Sequence, residues 1–244
     1  MTEARTKNPQ SNKTMTEYEL TDLVKRVKNV IDQNMESAGM EAFGDVDTLS
    51  LEQVIEENIL PAAQLIEMSA SNEMLGECEN IPTNGMTTDS TFSTDTLKCK
   101  YVALPSDFMR FVAFRMSDWR RVVTEPIDPS HPIYAMQRSR VAAVRGNTEK
   151  PVVAIVHHKG SLVLEAYTTA ESSSVSVAKY LPKPSVNDGK VKLCPLLTDA
   201  IVYATAYLVA NSYNAITQAQ VFLSTAKSLA GIQSAQQQPT NTEE

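Results

Sequence analysis

The chain has 244 residues, 42% of them apolar, and a formal net charge of −7. That is enough apolar material to bury the core of one large domain or two closely joined ones, which argues against a wholly disordered chain. Three cysteines at unrelated spacings, Cys78, Cys99 and Cys194, support neither a disulfide framework nor a CxxC metal knuckle, so reduced thiols are expected.

In chain order, Thr16 with Glu19 three residues later has the form of a capping box. Leu20, Leu23, Val24, Val27, Val30, Ile31 and Met35 then recur at helical spacing, predicting a helix to about Ser37 with Gly39 beyond it as a stop. After an acidic loop from Met40 to Leu49, Ser50 and Gln53 repeat the capping box ahead of a second apolar series from Leu51 to Ser69. Pro61 lies inside that series, where it removes a hydrogen bond and crowds the preceding turn, so a kink or split is expected near Glu57 to Pro61. Ser71 to Ser93 reads as a long loop or domain boundary, rich in Asn, Thr, Ser and Glu.

From Leu97 the texture changes. Leu97 to Ala103, Phe108 to Met116 and Trp119 to Thr124 carry the β-branched and aromatic residues of strands. Ile133 to Val144 is ambiguous between strand and short helix. Pro151 to His157 and Ser161 to Tyr167 flank His158-Lys159-Gly160, a hairpin signal with glycine available for positive φ. Val175 to Leu181 closes the sheet. Beyond the Asn187-Asp188-Gly189 turn, Pro195 opens a helix that is apolar on most sides, and a break at Asn211 to Asn214 leads into a last helix as its antiparallel neighbour. The polar opening up to Thr16 lacks a signal-peptide core, and the apolar stretch near Ile201 to Ala210 is half a membrane span. A soluble protein made in the cytosol, with no membrane partner, is expected.

Charge is unevenly placed. Thr14 to Asp95 holds 3 basic and 17 acidic residues, whereas Lys98 to Lys150 holds 10 basic and 5 acidic. Such runs are commonly solvated surface, and they equally suit complementary contact between neighbouring copies.

Catalytic chemistry is not legible. The sequence has no GxxxxGK, GxGxxG, GxSxG or HExxH pattern. His157 and His158, adjacent on a strand, point to opposite faces and make a poor shared metal site. His131 and the Ser106-Asp107 pair read as turn or cap residues, and Trp119 before Arg120-Arg121 reads as a sheet-core anchor beside surface arginines. No enzyme, cofactor or metal is expected.

One segment carries a family likeness. Leu104-Pro105-Ser106-Asp107-Phe108, followed by Met109-Arg110-Phe111-Val112, heads the strand-rich middle. A proline-broken run with Arg138 and Arg140 comes next, then the Pro151 to Tyr167 hairpin and the helical pair Leu196 to Tyr213 and Ala215 to Leu229. In this order of parts the chain resembles the head-to-tail connector (neck or adaptor ring, tail-tubular-like) proteins of tailed bacteriophages. It is similar to the ring proteins of crAss-like and other short-tailed phages.

The resemblance implies an α+β fold: a four-helix bundle-like body, from two N-terminal and two C-terminal helices, carrying an inserted antiparallel β-rich domain. The expected divisions are a flexible arm at 1–15, a helical pair and long loop at 16–93, the β-rich insertion at 94–184, the C-terminal pair at 185–232 and a disordered tail at 233–244. It further implies a structural virion protein of the neck or tail that forms a dodecameric ring. Its partners would be further copies of itself, the portal protein, other neck or tail rings, and genomic double-stranded DNA passing without sequence specificity. Another self-assembling virion or scaffold protein is the alternative, with a nucleic-acid-binding module ranked below it. Arg120, Arg121, Arg138, Arg140 and Asp107 are the candidate subunit or partner contacts, with the acidic first helices lining a lumen or facing the next subunit's arginines.

Overall fold

A computed structural model describes residues 15–34, 50–76, 78–89, 98–139, 141, 144–158 and 160–232. The expected arm, apart from Met15, the Gly39 stop, the acidic loop to Leu49, Arg140 and the 233–244 tail lie outside these residues. The chain forms two units, Met1–Glu77 with Pro184–Glu244, and Cys78–Lys183.

The first unit opens on strand β1 (Thr16–Glu19) and helix α1 (Leu20–Asn34), followed by α2 (Leu51–Ser69). Thr16 to Glu19 is therefore strand and not a helix cap. It pairs antiparallel with a strand far along the chain, Tyr18 opposite Val191, and the helix starts only afterwards. The Ser50–Gln53 capping box forms as read: the Gln53 N–H donates to Ser50 Oγ and the Ser50 N–H to Gln53 Oε1. α2 runs unbroken through Pro61, which is exposed. Each helix buries one stripe, Leu23, Val24, Val27 and Ile31 on α1 and Ile55, Ile59, Ala62 and Ile66 on α2. A fully buried Val or Ile is worth roughly 1.5–3 kcal/mol.

Strands β9 (Val186–Asn187) and β10 (Lys190–Leu193) complete a three-stranded sheet in the order β1-β10-β9. Asp188 (φ 49°) and Gly189 (φ 73°) form the two-residue connection, both in the left-handed region that such hairpins require. A turn of 3-10 helix at Pro195–Leu197 leads into the helix Thr198–Ser212, and the last helix spans Ile216–Leu229. With Pro132–Met136 of the other unit taken as α3, these two are α4 and α5.

The expected four-helix bundle-like body is not the architecture. α4 is a hub that packs most extensively on α5, then on α2, then on α1, and α1 and α2 touch each other less than each touches α4. The cause is composition: Ala200, Ile201, Val202, Ala204, Thr205, Ala206, Val209 and Ala210 are buried around the whole circumference of α4, so it accepts neighbours on every side. The unit also carries its own antiparallel sheet, so helices and strands share one core in an α+β arrangement.

The second unit contains β2 (Glu79–Asn80) and β3 (Thr87–Asp89), both within the stretch expected as loop. β4 (Lys98–Ala103), β5 (Phe108–Met116), α3, β6 (Val153–His158), β7 (Ser161–Thr169) and β8 (Val175–Pro182) follow. They form antiparallel sheets β2-β8-β5 and β3-β4-β7-β6. Phe111, Phe114, Met116 and Trp119 share a core with Val102, Leu164 and Ala166, so the two sheets face each other. A second cluster of Cys99, Ala154, Val156, Val163 and Tyr167, with Tyr134 of α3 against it, covers the other face of the four-stranded sheet. β7 is thus buried on both sides, with Leu164 and Ala166 in one cluster and Val163 and Tyr167 in the other.

β5 departs from strict alternation because its pairing with β8 shifts register three times, which sets Phe111, Phe114 and Met116 all inward. Trp119 to Thr124 is not a strand. The Trp119 N–H closes a turn onto the Met116 carbonyl and the indole enters the core, leaving only an isolated bridge between Phe114 and Val123.

Candidate subunit-contact surface

α3 is one short turn, capped by His131, whose Nδ1 accepts from the Ile133 N–H at 3.2 Å, with Pro132 in the first position. Its last residues hold a closed excursion. The buried Gln137 carboxamide donates from Nε2 to the Ile133 carbonyl at 3.0 Å, and its Oε1 accepts from the Gly146 N–H at 2.9 Å. The Gly146 carbonyl in turn accepts from Thr168 Oγ1 at 2.7 Å. In the same stretch, Ile133, Met136, Val141 and Val144 are exposed by 41%, 45%, 58% and 46%.

Arg138 stands beside them. Its Nη2 donates to the Tyr134 hydroxyl at 3.3 Å and its guanidinium carbon lies 5.5 Å from that ring's centre. The Tyr134 hydroxyl donates to Glu165 Oε2 at 3.3 Å, and the Tyr167 hydroxyl donates to the same oxygen. The two rings meet edge to face, 6.4 Å apart. Burial, reinforced by Glu165, pushes the Tyr167 phenol well above its ordinary range. Arg138 therefore stands on a packed aromatic and carboxylate base.

The other expected contacts are dispersed. Arg120 is exposed, its Nε pairs with Glu149 Oε1 at 2.8 Å, and its N–H donates to the Thr148 carbonyl. Arg121 is exposed next to it. Asp107 lies at the opposite end of β5, on the order of 30 Å of extended chain away. There its carboxylate accepts from the Tyr180 hydroxyl at 3.1 and 3.3 Å, while its carbonyl accepts from the Lys183 N–H at 2.7 Å. Tyr180 stacks on Phe108 at 5.9 Å, and burial together with Asp107 raises its phenol. Asp107 thus fastens β5 to β8. Trp119 is 1% exposed, donates from its indole N–H to the Thr168 carbonyl at 3.3 Å and meets Phe114 edge to face.

In the first unit, Lys25, Arg26 and Lys28 all engage local carboxylates, namely Asp22 at 3.4 Å, Asp199, and Glu52 at 2.8 Å. The Lys28 contact holds the Glu52 carboxyl below its ordinary value. A groove of about 360 Å³ lies between α1 and α2, lined by Lys25, Lys28, Asn29, Asp32, Glu52 and Glu56. α2 itself contains no basic residue. Its exposed side carries Glu52, Glu56 and Glu57 in the first half and Leu65 and Met68 in the second.

Compared with protein-family models and with curated proteins, the chain matches none.

Among the described residues, no group of three or more His, Cys, Asp or Glu is placed to hold a metal ion. No described helix is long and apolar enough to cross a membrane. What the surfaces offer is noncovalent contact through arginine, carboxylate and exposed aliphatic groups. The sequence carried a signal for this that charge totals obscured. Ser130 to Asn147 contains three arginines, no acidic residue and several aliphatic residues without strand alternation. Glu67 was concealed by lying within an apolar stripe. It is fully buried, its Oε1 accepts from the Cys194 N–H at 3.3 Å, and burial pushes its carboxyl up to about 7.

Proposed function

We propose that this protein is a structural virion component of a tailed bacteriophage. It assembles as an oligomeric ring between portal and tail, extends the DNA channel and offers the tail a docking surface. The observation that carries the reading is the division of charge between the two units. The basic residues of α1 pair with carboxylates and every charged residue of α2 is acidic, while the second unit exposes Arg121 and Arg138 as well as several aliphatic side chains. A chain with two unlike and complementary faces suits head-to-tail association, which closes into a ring when the rotation between copies permits. An acidic wall also lets DNA pass, because lysine and arginine contacts to phosphate create affinity and its salt dependence. The order of parts along the chain, with the Leu104 to Phe108 segment leading into β5, supports the same reading.

Native mass measurement and negative-stain imaging of the purified chain, alone and mixed with a portal ring, test it. Closed rings, alone or templated on the portal, are expected. A chain that remains monomeric and does not bind the portal would overturn the reading.

A further inference from the structure

We infer that the surface of Ile133, Met136, Arg138, Val141, Val144 and Arg145 is one half of an interface between copies of this chain, and that its other half is the exposed face of α2 on the neighbouring copy. The inference rests on the ring reading above and names the surfaces that would build it.

Two properties single out the first half. The four aliphatic side chains together expose an area on the order of 300 Å², the size of patch that monomers commonly reserve for binding. The segment that carries them is also tied down: Gln137 bonds to Gly146, and Arg138 bonds to the Tyr134 hydroxyl. A side chain positioned before contact loses less freedom on binding.

The occupant follows from complementarity. This surface combines positive charge with aliphatic groups, and its surrounding sequence from Ser130 to Asn147 has no acid. α2 combines the opposite charge with aliphatic groups. Glu52, Glu56 and Glu57 occupy the first half of its exposed side, Leu65 and Met68 the second, and Glu57 to Met68 spans roughly 16 Å of helix. A polyanion such as DNA would be drawn to the positive charge and gain nothing from four exposed aliphatic groups. An acidic and aliphatic helix face matches both the charge and the aliphatic groups, and every copy of the chain supplies one. Because the halves differ, the contact is head to tail.

The decisive experiment uses two charge-reversed full-length chains, Arg138→Glu with Arg145→Glu, and Glu56→Arg with Glu57→Arg. Sedimentation velocity and native mass spectrometry follow them over a wide concentration range, with circular dichroism to confirm folding. Each variant alone should self-associate at least tenfold more weakly than the unaltered chain. An equimolar mixture should recover, because each copy then meets a partner of opposite sign, and the variant carrying all four changes should recover as well. Misfolding cannot produce that recovery.

Lys190→Glu, which breaks the surface pair with Glu19 outside both proposed halves, should associate as the unaltered chain does. A photocrosslinker at Met136 should yield a peptide from α2 of a second copy. Closed oligomers that persist in both variants, or crosslinks to another surface, overturn this interface and leave the ring reading standing. An unaltered chain that is monomeric even at millimolar concentration, and that a portal does not assemble, overturns both. Salt-sensitive binding of double-stranded DNA that Arg138→Glu with Arg145→Glu abolishes reassigns the surface to nucleic acid.

Discussion

The Gln137 carboxamide and the Gly146 backbone are hydrogen-bonded at 2.9 Å in a buried setting, nine residues apart in sequence. Gly146 has room for nothing larger. A Cβ there would lie 2.8 Å from Val152 Cγ2 and 3.2 Å from Gln137 Oε1. This contact joins the end of α3 to the segment leading into β6.

Gly146→Ala should therefore destabilise the protein by about 1–3 kcal/mol, the usual cost of forcing an extra carbon into a packed site. Gln137→Ala should cost a similar amount, because it leaves the buried Gly146 N–H without this acceptor. For a chain of this size each 1 kcal/mol lowers Tm by roughly 2–4 °C. Calorimetry of the two variants measures both effects. A Gly146→Ala protein as stable as the unaltered chain would mean that Val152 yields to the added methyl group.

Glu67 makes stability depend on pH in a definite direction. Burial favours its neutral form and raises its carboxyl in the folded state from an ordinary value of 4.5 to about 7. The unfolded chain therefore loses this proton at lower pH than the folded one. The stabilisation is fully present below about pH 4.5, declines as pH rises, and is lost once pH passes about 7. The full swing corresponds to roughly 3 kcal/mol. Comparing denaturant midpoints of the unaltered chain and Glu67→Gln between pH 5 and 8.5 isolates this group, and the variant should gain relative stability as pH rises. A difference that does not change with pH would show that Glu67 does not titrate in this range.

Trp119 is the one tryptophan of the chain and belongs to the strand-rich unit, with its indole N–H on the Thr168 carbonyl. Its emission should be blue-shifted and inaccessible to iodide, and should report the unfolding of that unit alone. Helical circular dichroism reports chiefly the other unit, where α1, α2, α4 and α5 lie. Guanidinium titrations followed by both signals test whether the units unfold together. Coincident curves would establish one cooperative transition, and separated curves two.

The features legible before folding are those whose physics acts within a few residues. The Ser50–Gln53 capping box, the β6–β7 hairpin with Gly160 at φ 84°, and the Asp188–Gly189 turn all appear where the sequence places them. Each rests on a hydrogen bond or a backbone angle that neighbouring residues determine. The stripes of α1 and α2 were legible for a related reason, since a periodic apolar face needs some partner whichever partner it finds.

What the sequence by itself determined was therefore the four long helices, the β6–β7 hairpin, the turn at Asp188–Gly189 and the uneven charge along the chain. Only the tertiary structure decided their use, because the deciding contacts join distant residues. Thr16 to Glu19 is a strand because Lys190 to Leu193 pairs with it. Arg120 faces Glu149, while Arg138 stands on Tyr134. Glu67 is buried against Cys194, 127 positions away. Local propensity cannot specify which distant partner a side chain meets, so the charge totals of the chain became distinct surfaces only when it folded.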